Sequence, residues 1–108
     1  PHEPSRRQRQ MCIRDRSGEG PSETKRINGY YNLRFYLTVG NKTYVSKVIG
    51  DMDPGYGSTS KMLAESAICL ALDKTPEIFG ILTPSVGLGD SLLNRLQENA
   101  GLTFELNI

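Results

Sequence analysis

Gly50-Asp51-Met52-Asp53-Pro54-Gly55-Tyr56-Gly57-Ser58-Thr59-Ser60-Lys61-Met62-Leu63-Ala64-Glu65 is a glycine- and proline-rich turn that runs directly into an apolar helix. Pro54 fixes one backbone angle, and Gly55 and Gly57 permit left-handed or closely approached backbone on either side of Tyr56. The geometry predicts a corner that displays Tyr56. Ser58 or Thr59 is placed to cap the helix, and Lys61 and Glu65, four residues apart, share one of its faces.

Downstream, the helix is expected over about Ser58 to Lys74. Met62, Leu63, Ala67, Ile68, Leu70, Ala71 and Leu72 make it apolar over most of its circumference, and Pro76 marks its end. Such a helix requires cover on more than one side. Gly80-Ile81-Leu82-Thr83-Pro84 reads as a short extended piece. The next helix carries Leu88, Leu92, Leu93 and Leu96 inward and stops at Gly101. Leu102, Phe104 and Leu106 alternate with Thr103, Glu105 and Asn107, the pattern of a closing strand that joins a sheet.

Upstream, Tyr31, Leu33, Phe35, Leu37 and Val39 alternate with Asn32, Arg34, Tyr36 and Thr38, which predicts a strand with one buried face. Gly40-Asn41 is a two-residue hairpin turn, both types tolerating positive φ, and Thr43 to Ile49 is rich in β-branched residues. That turn puts Tyr44 and Val48 on the apolar face but sets Arg34 opposite Lys47, which is unfavourable, so a longer loop or a bulge is the alternative. The fold class is α+β: an antiparallel β-hairpin plus a C-terminal strand, packed against two helices.

The 108 residues bound a single small domain, and 37% hydrophobic with 23% charged residues are ordinary for a globule. No apolar run approaches a membrane span and no leader with an apolar centre is present, so the expected location is cytoplasmic. Cys12 and Cys69 lie in unlike contexts and predict neither a disulfide nor a metal site, and His2 has no partner at ligand spacing.

The formal net charge of +1 is dominated by the N-terminus, where Arg6, Arg7, Arg9, Arg14 and Arg16 lie. Beyond Arg16 the chain is slightly acidic. Arg6 to Arg16 reads in isolation as a basic arm for nucleic acid, but it lacks interleaved aromatics. It resembles instead, over every position, a translated sequencing adapter of the kind carried by metagenomic libraries. The expected organisation is therefore a non-native tail over 1–16, a polar linker or loop over 17–28, and an α+β domain over 29–108. Nucleic-acid binding is not expected.

The corner holds the residue types of an anion site, with glycines, hydroxyls and Lys61 at a helix start. The spacing is not that of a phosphate-binding Gly-Lys-Ser/Thr loop, and Asp51 and Asp53 bring the wrong charge. Those two aspartates could form an acid/base pair or half a metal site, but without a nearby His they read as turn-capping groups. Tyr56 with Lys61 has the composition of a proton-transfer couple whose convergence spacing does not establish. Glu65, inside an apolar helix, calls for a cationic partner, either Lys61 or a group outside the chain. Gly87-Leu88-Gly89 lacks the third glycine of a dinucleotide fingerprint. The candidate functional residues are Asp51, Asp53, Tyr56, Thr59, Lys61 and Glu65, with no catalytic or cofactor-binding role assigned to any of them.

Gly18-Glu19-Gly20-Pro21, the long run from Gly50 to Ser66, Leu82-Thr83-Pro84 and Gly101-Leu102-Thr103-Phe104-Glu105 together resemble the C-terminal region of saccharopine dehydrogenase-like oxidoreductases, including those named trans-acting enoyl reductases. Met52 departs mildly from the long motif. The resemblance implies an N-terminal Rossmann domain that binds NAD(P), on which the later α+β region packs to shape the substrate cleft or subunit contacts, with a homodimer among the arrangements it implies. The expectation is a truncated C-terminal domain, a fragment of a larger two-domain oxidoreductase, that holds no cofactor and has no turnover alone. The alternative from the residues is a free-standing binding or dimerisation module with an anion site at the Gly55–Lys61 corner.

Overall fold

The computed structural model describes residues 20–107. The adapter-like stretch lies outside the described residues, as does Cys12. In chain order the elements are α1 (Glu23–Asn28), β1 (Tyr31–Val39), β2 (Lys42–Gly50), α2 (Gly57–Leu72), α3 (Pro84–Asn99) and β3 (Leu102–Asn107). The three strands form one antiparallel sheet in the order β1-β2-β3. This is the α+β arrangement that the alternation and the two helical stretches predict.

The hairpin closes through the two-residue turn, with Val39 paired to Lys42 and no bulge down to Tyr31 and Gly50. Gly40 takes φ +61 and Asn41 does not share the positive sign, so the turn is of the II′ kind, which matches the twist of the flanking strands. Arg34 does face Lys47. The third strand removes the penalty, because Glu105 sits opposite Lys47 on the other side and its carboxylate lies 3.2 Å from the ammonium.

The apolar sheet face is formed by Leu33, Phe35, Leu37 and Val39 of β1, Tyr44 and Val48 of β2, and Leu102, Phe104 and Leu106 of β3. The helices cover only the end where Tyr31, Gly50 and Leu102 lie side by side. The expected burial of β1 is therefore not met: Leu33, Phe35, Leu37 and Val39 are 50, 53, 62 and 59% exposed. A period of two specifies which side chains share a face, while burial depends on what lies above that face.

The core lies between the helices. Cys69 of α2 and Leu88 and Leu92 of α3 are buried together, with Leu96 packed against them. Ala100 and Leu102 continue the buried set into β3. The outer side of α2 remains open, with Leu63 71% exposed, as expected for a helix apolar nearly all round.

Two local features depart from the sequence reading. Residues 23–28, expected as polar loop, form α1, whose N-cap Ser22 accepts a hydrogen bond from the Lys25 amide. Gly80 to Thr83 is irregular rather than strand-like, and α3 begins at once with Pro84 in its first turn. Within α3, Gly89 adopts φ 58 and ψ −143, breaking the helix into two segments.

Candidate functional site

The corner lies between the end of β2 and the start of α2. Asp53 organises it. Its carboxylate accepts hydrogen bonds from the backbone N–H groups of Gly55 at 3.0 Å, Tyr56 at 3.2 Å and Gly57 at 2.5 Å. Its carbonyl accepts from the Ser58 amide at 2.9 Å. The Tyr56 and Gly57 N–H groups are among the donors that a helix start leaves without intrahelical partners, the Gly55 N–H belongs to the turn before it, and a carboxylate also suits the positive end of the helix dipole. Tyr56 holds the N-cap position without a side-chain cap bond, and Asp53, from the turn before it, supplies the acceptor that was expected from Ser58 or Thr59. Its full charge, and its position before the turn, let one side chain reach three successive amides.

The two hydroxyls do other work. Ser58 is fully buried and its Oγ lies 2.8 Å from the Tyr31 Oη, joining α2 to the start of β1. Thr59 donates to the Pro54 carbonyl at 2.6 Å, tying the first turn of α2 to the loop before it. Gly57 is itself buried, and a Cβ there would stand only 3.0 Å from the Asp53 carboxylate and the Met52 methyl. Its lack of a side chain is what allows the cap to close.

The corner also receives α1. The Asp53 amide donates to the Arg26 carbonyl at 3.0 Å, and a Cβ at Gly29 would stand 2.7 Å from the Asp53 backbone. The Tyr56 ring lies close beneath Gly20, although the side chain as a whole is 55% exposed. Residues 20–29 therefore pack on the corner and complete it.

The charged residues divide into two separate groups. Lys61 pairs with Asp51 at 2.9 Å. Glu65 does not meet Lys61; it points the other way, to Arg95 at 3.3 Å and to the Asn99 amide at 3.4 Å. Arg95 also grips Asp73 through both Nε at 2.5 Å and Nη2 at 2.8 Å, a bidentate arrangement between the end of α2 and the middle of α3. The Arg95 hydrogen bonds hold the Asp73 carboxyl below its ordinary range, and Asp73 in turn raises the guanidinium further. Burial, with Asp73 one turn away, pushes the Cys69 thiol up.

The Asp73–Arg95–Glu65 cluster was not singled out by the sequence reading. A signal was present, since Arg95 is the only lysine or arginine after Lys74 and so is the one local partner for several acidic side chains. The structure brings Asp53 to the helix start and Asp51 to Lys61, and leaves Glu65 out of the corner. Each acidic member of the candidate set is engaged by a donor from this chain. The amides that would cradle a phosphate are occupied by Asp53, which disfavours an anion site there.

The corner is not a dinucleotide fingerprint. Gly55-Tyr56-Gly57 follows a strand and opens a helix, but the third glycine position is Ser60, β2 is antiparallel to both neighbours, and the amides that would meet a pyrophosphate are capped. Among the described residues no group of three His, Cys, Asp or Glu is placed to hold a metal ion. None of the described helices is long and apolar enough to cross a membrane.

Comparison with known proteins gives the remaining finding. The chain is 42% identical over 91 residues to a Mycobacterium tuberculosis protein whose name carries the words trans-acting enoyl reductase, covering 82% of this chain and 22% of that protein. This chain resembles part of a trans-acting enoyl reductase. The proteins of that name from Mycobacterium ulcerans and Mycobacterium leprae are each 36% identical, over 80 and 85% of this chain and 21 and 22% of their own lengths. The chain thus spans about one fifth of the length of the curated relatives it matches. No family profile matches it, and no solved structure does.

Proposed function

We propose that this chain is the C-terminal, cleft-shaping or subunit-contacting part of a longer NAD(P)-dependent oxidoreductase of the saccharopine dehydrogenase-like kind, related to the trans-acting enoyl reductases. The observation that carries the reading is the similarity itself, which extends over most of the chain but only about one fifth of each relative. The physical state of the domain supports it. A half-covered sheet face and a helix apolar on its outer side are what remains of a packed protein when a neighbouring layer is missing. In this reading the corner is a structural elbow, the Rossmann domain lies upstream, and the chain alone has no turnover.

The experiment is to recover the longer reading frame that contains residues 17–108, and to compare its protein with the 108-residue chain. The expected result is NAD(P)H binding and reduction of an enoyl substrate by the longer protein, with neither activity in the short one. Turnover by the 108-residue chain alone, or a longer frame without a Gly-x-Gly-x-x-Gly strand-helix unit, would overturn the reading.

A further inference from the structure

Asn28, the last residue of α1, is followed by Gly29, whereas Asn32, Asn41, Asn94, Asn99 and Asn107 all precede residues with a side chain. Asparagine is thermolabile because the amide nitrogen of the next residue can attack its side-chain carbonyl, and glycine leaves that nitrogen unshielded. In a helix the two groups are held apart, so the reaction waits on the end of α1 opening. α1 favours opening. It has six residues, none of them buried, well below the length at which a helix holds by itself. The C-cap N–H groups of α2 and α3 donate to the Cys69 and Leu96 carbonyls, while α1 has no such bond at Gly29.

We propose that Asn28 is a self-modification site, which converts to isoaspartate and thereby releases α1 from the corner. The Gly29 nitrogen loses its proton and bonds to Asn28 Cγ, the Cγ–Nδ2 bond breaks, and ammonia leaves with the proton. Water then opens the succinimide ring. Hydrolysis at Cγ gives aspartate. Hydrolysis at the backbone carbonyl gives isoaspartate, whose main chain runs through Cγ and is longer by one methylene.

That methylene falls between two contacts to the same residue. The Asp53 N–H donates to the Arg26 carbonyl at 3.0 Å, and Gly29 packs so closely on Asp53 that an added Cβ would stand 2.7 Å from its backbone. Lengthening the segment 26–29 puts the two contacts out of register. The new carboxylate also lies at the negative end of the α1 dipole, which further opposes the helix. The bonds from the Asp53 carboxylate to the Gly55, Tyr56 and Gly57 amides use none of these groups and remain.

The test is to hold the full chain in mildly alkaline buffer at physiological temperature, beside a sample unfolded in guanidinium chloride, and to map both by mass spectrometry with fragmentation that distinguishes isoaspartate. In the folded chain, ammonia is expected to be exchanged for water at Asn28 roughly tenfold faster than at any other asparagine, with isoaspartate among the products. In the purified isoaspartate form the Asp53 N–H should exchange with deuterium about tenfold faster than in fresh chain, with the Gly57 N–H unchanged. Freshly prepared Asn28→Asp carries the charge without the methylene and should keep the Asp53 N–H protected. Asn28 that stays intact in the folded chain while the unfolded sample converts overturns the site. An isoaspartate form with a protected Asp53 N–H overturns the release, and equal loss of protection in Asn28→Asp overturns the part given to the methylene.

Discussion

The Tyr31 hydroxyl and the Ser58 hydroxyl meet at 2.8 Å, linking the first residue of β1 to the buried second residue of α2. This bond joins the sheet to the corner at the one end of the sheet that the helices cover. Gly50 lies beside it, and a Cβ there would fall on the Tyr31 ring. Removing one partner leaves a buried hydroxyl unsatisfied. Tyr31→Phe is expected to cost about 1–2 kcal/mol in urea unfolding. Ser58→Ala should cost a similar amount, and the double variant less than the sum of the two. Strict additivity would show that the bond contributes nothing.

Asp53 accepts from the first amides of α2 in place of a side-chain N-cap, and Asp53→Ala is expected to destabilise the domain by about 1–2 kcal/mol. Asp53→Asn retains an accepting oxygen and should lose less. If Ser58 or Thr59 were the true cap, Thr59→Val would cost more than Asp53→Ala in the same thermal-unfolding series.

The Arg95 hydrogen bonds lower the Asp73 pKa from its ordinary value of 3.8. A carboxyl depressed in the folded state contributes stability that is fully present above its unfolded value and is lost as pH falls through the folded one. Stability measured by urea titration should therefore fall below pH 3.8, and Asp73→Asn should flatten that acid limb. An unchanged acid limb in Asp73→Asn would remove the pair from the account. Arg95→Met should be more disruptive than Asp73→Asn, because it leaves Asp73 and Glu65 without their shared cation.

Cys69 is fully buried, and burial and the nearby Asp73 raise its thiol above the ordinary 9.0. In a Cys12→Ser background, native protein should resist iodoacetamide, while urea-unfolded protein should react at the rate of a free thiol. Rapid labelling without denaturant would mean that the α2–α3 contact opens readily.

Gly101 has φ +67, and a Cβ there would fall on the Asp51 carboxylate. Gly101→Ala is expected to cost more than about 1 kcal/mol. In an Asp51→Ala background part of that cost should disappear, leaving only the backbone penalty. An equal cost in both backgrounds would show that the steric contact is irrelevant.

The hairpin, both long helices and the closing strand were legible because their apolar periods are local properties of the chain. The partners of charged residues were not. Arg34 opposite Lys47 looked unfavourable until β3, some sixty residues later, supplied Glu105. Glu65 lies four residues from Lys61, yet its partner Arg95 comes from another helix, where it also serves Asp73. The six-residue α1 carries no buried residue and no apolar period. It is held by its Ser22 cap and by the Arg26 carbonyl on the corner, a contact made across more than twenty positions. In the corner itself, composition identified the turn and a capping aspartate, while the choice among Asp53, Ser58 and Thr59 was settled by which side chain could reach the free amides.

The break at Gly89 gives α3 two allegiances. The segment before it, with Leu88, lines a cavity of about 490 Å³ against α2, together with Leu63, Leu70, Ile78 and Phe79. The segment after it carries Leu92 and Leu96 toward Phe104 of the sheet and also holds α2, through Leu92 beside Cys69 and Arg95 on Asp73 and Glu65. With φ 58 and ψ −143 at the joint, the helical hydrogen-bond ladder is interrupted. Both segments nevertheless stay seated on α2 through Leu88 and Leu92 beside Cys69, and the second reaches the sheet as well.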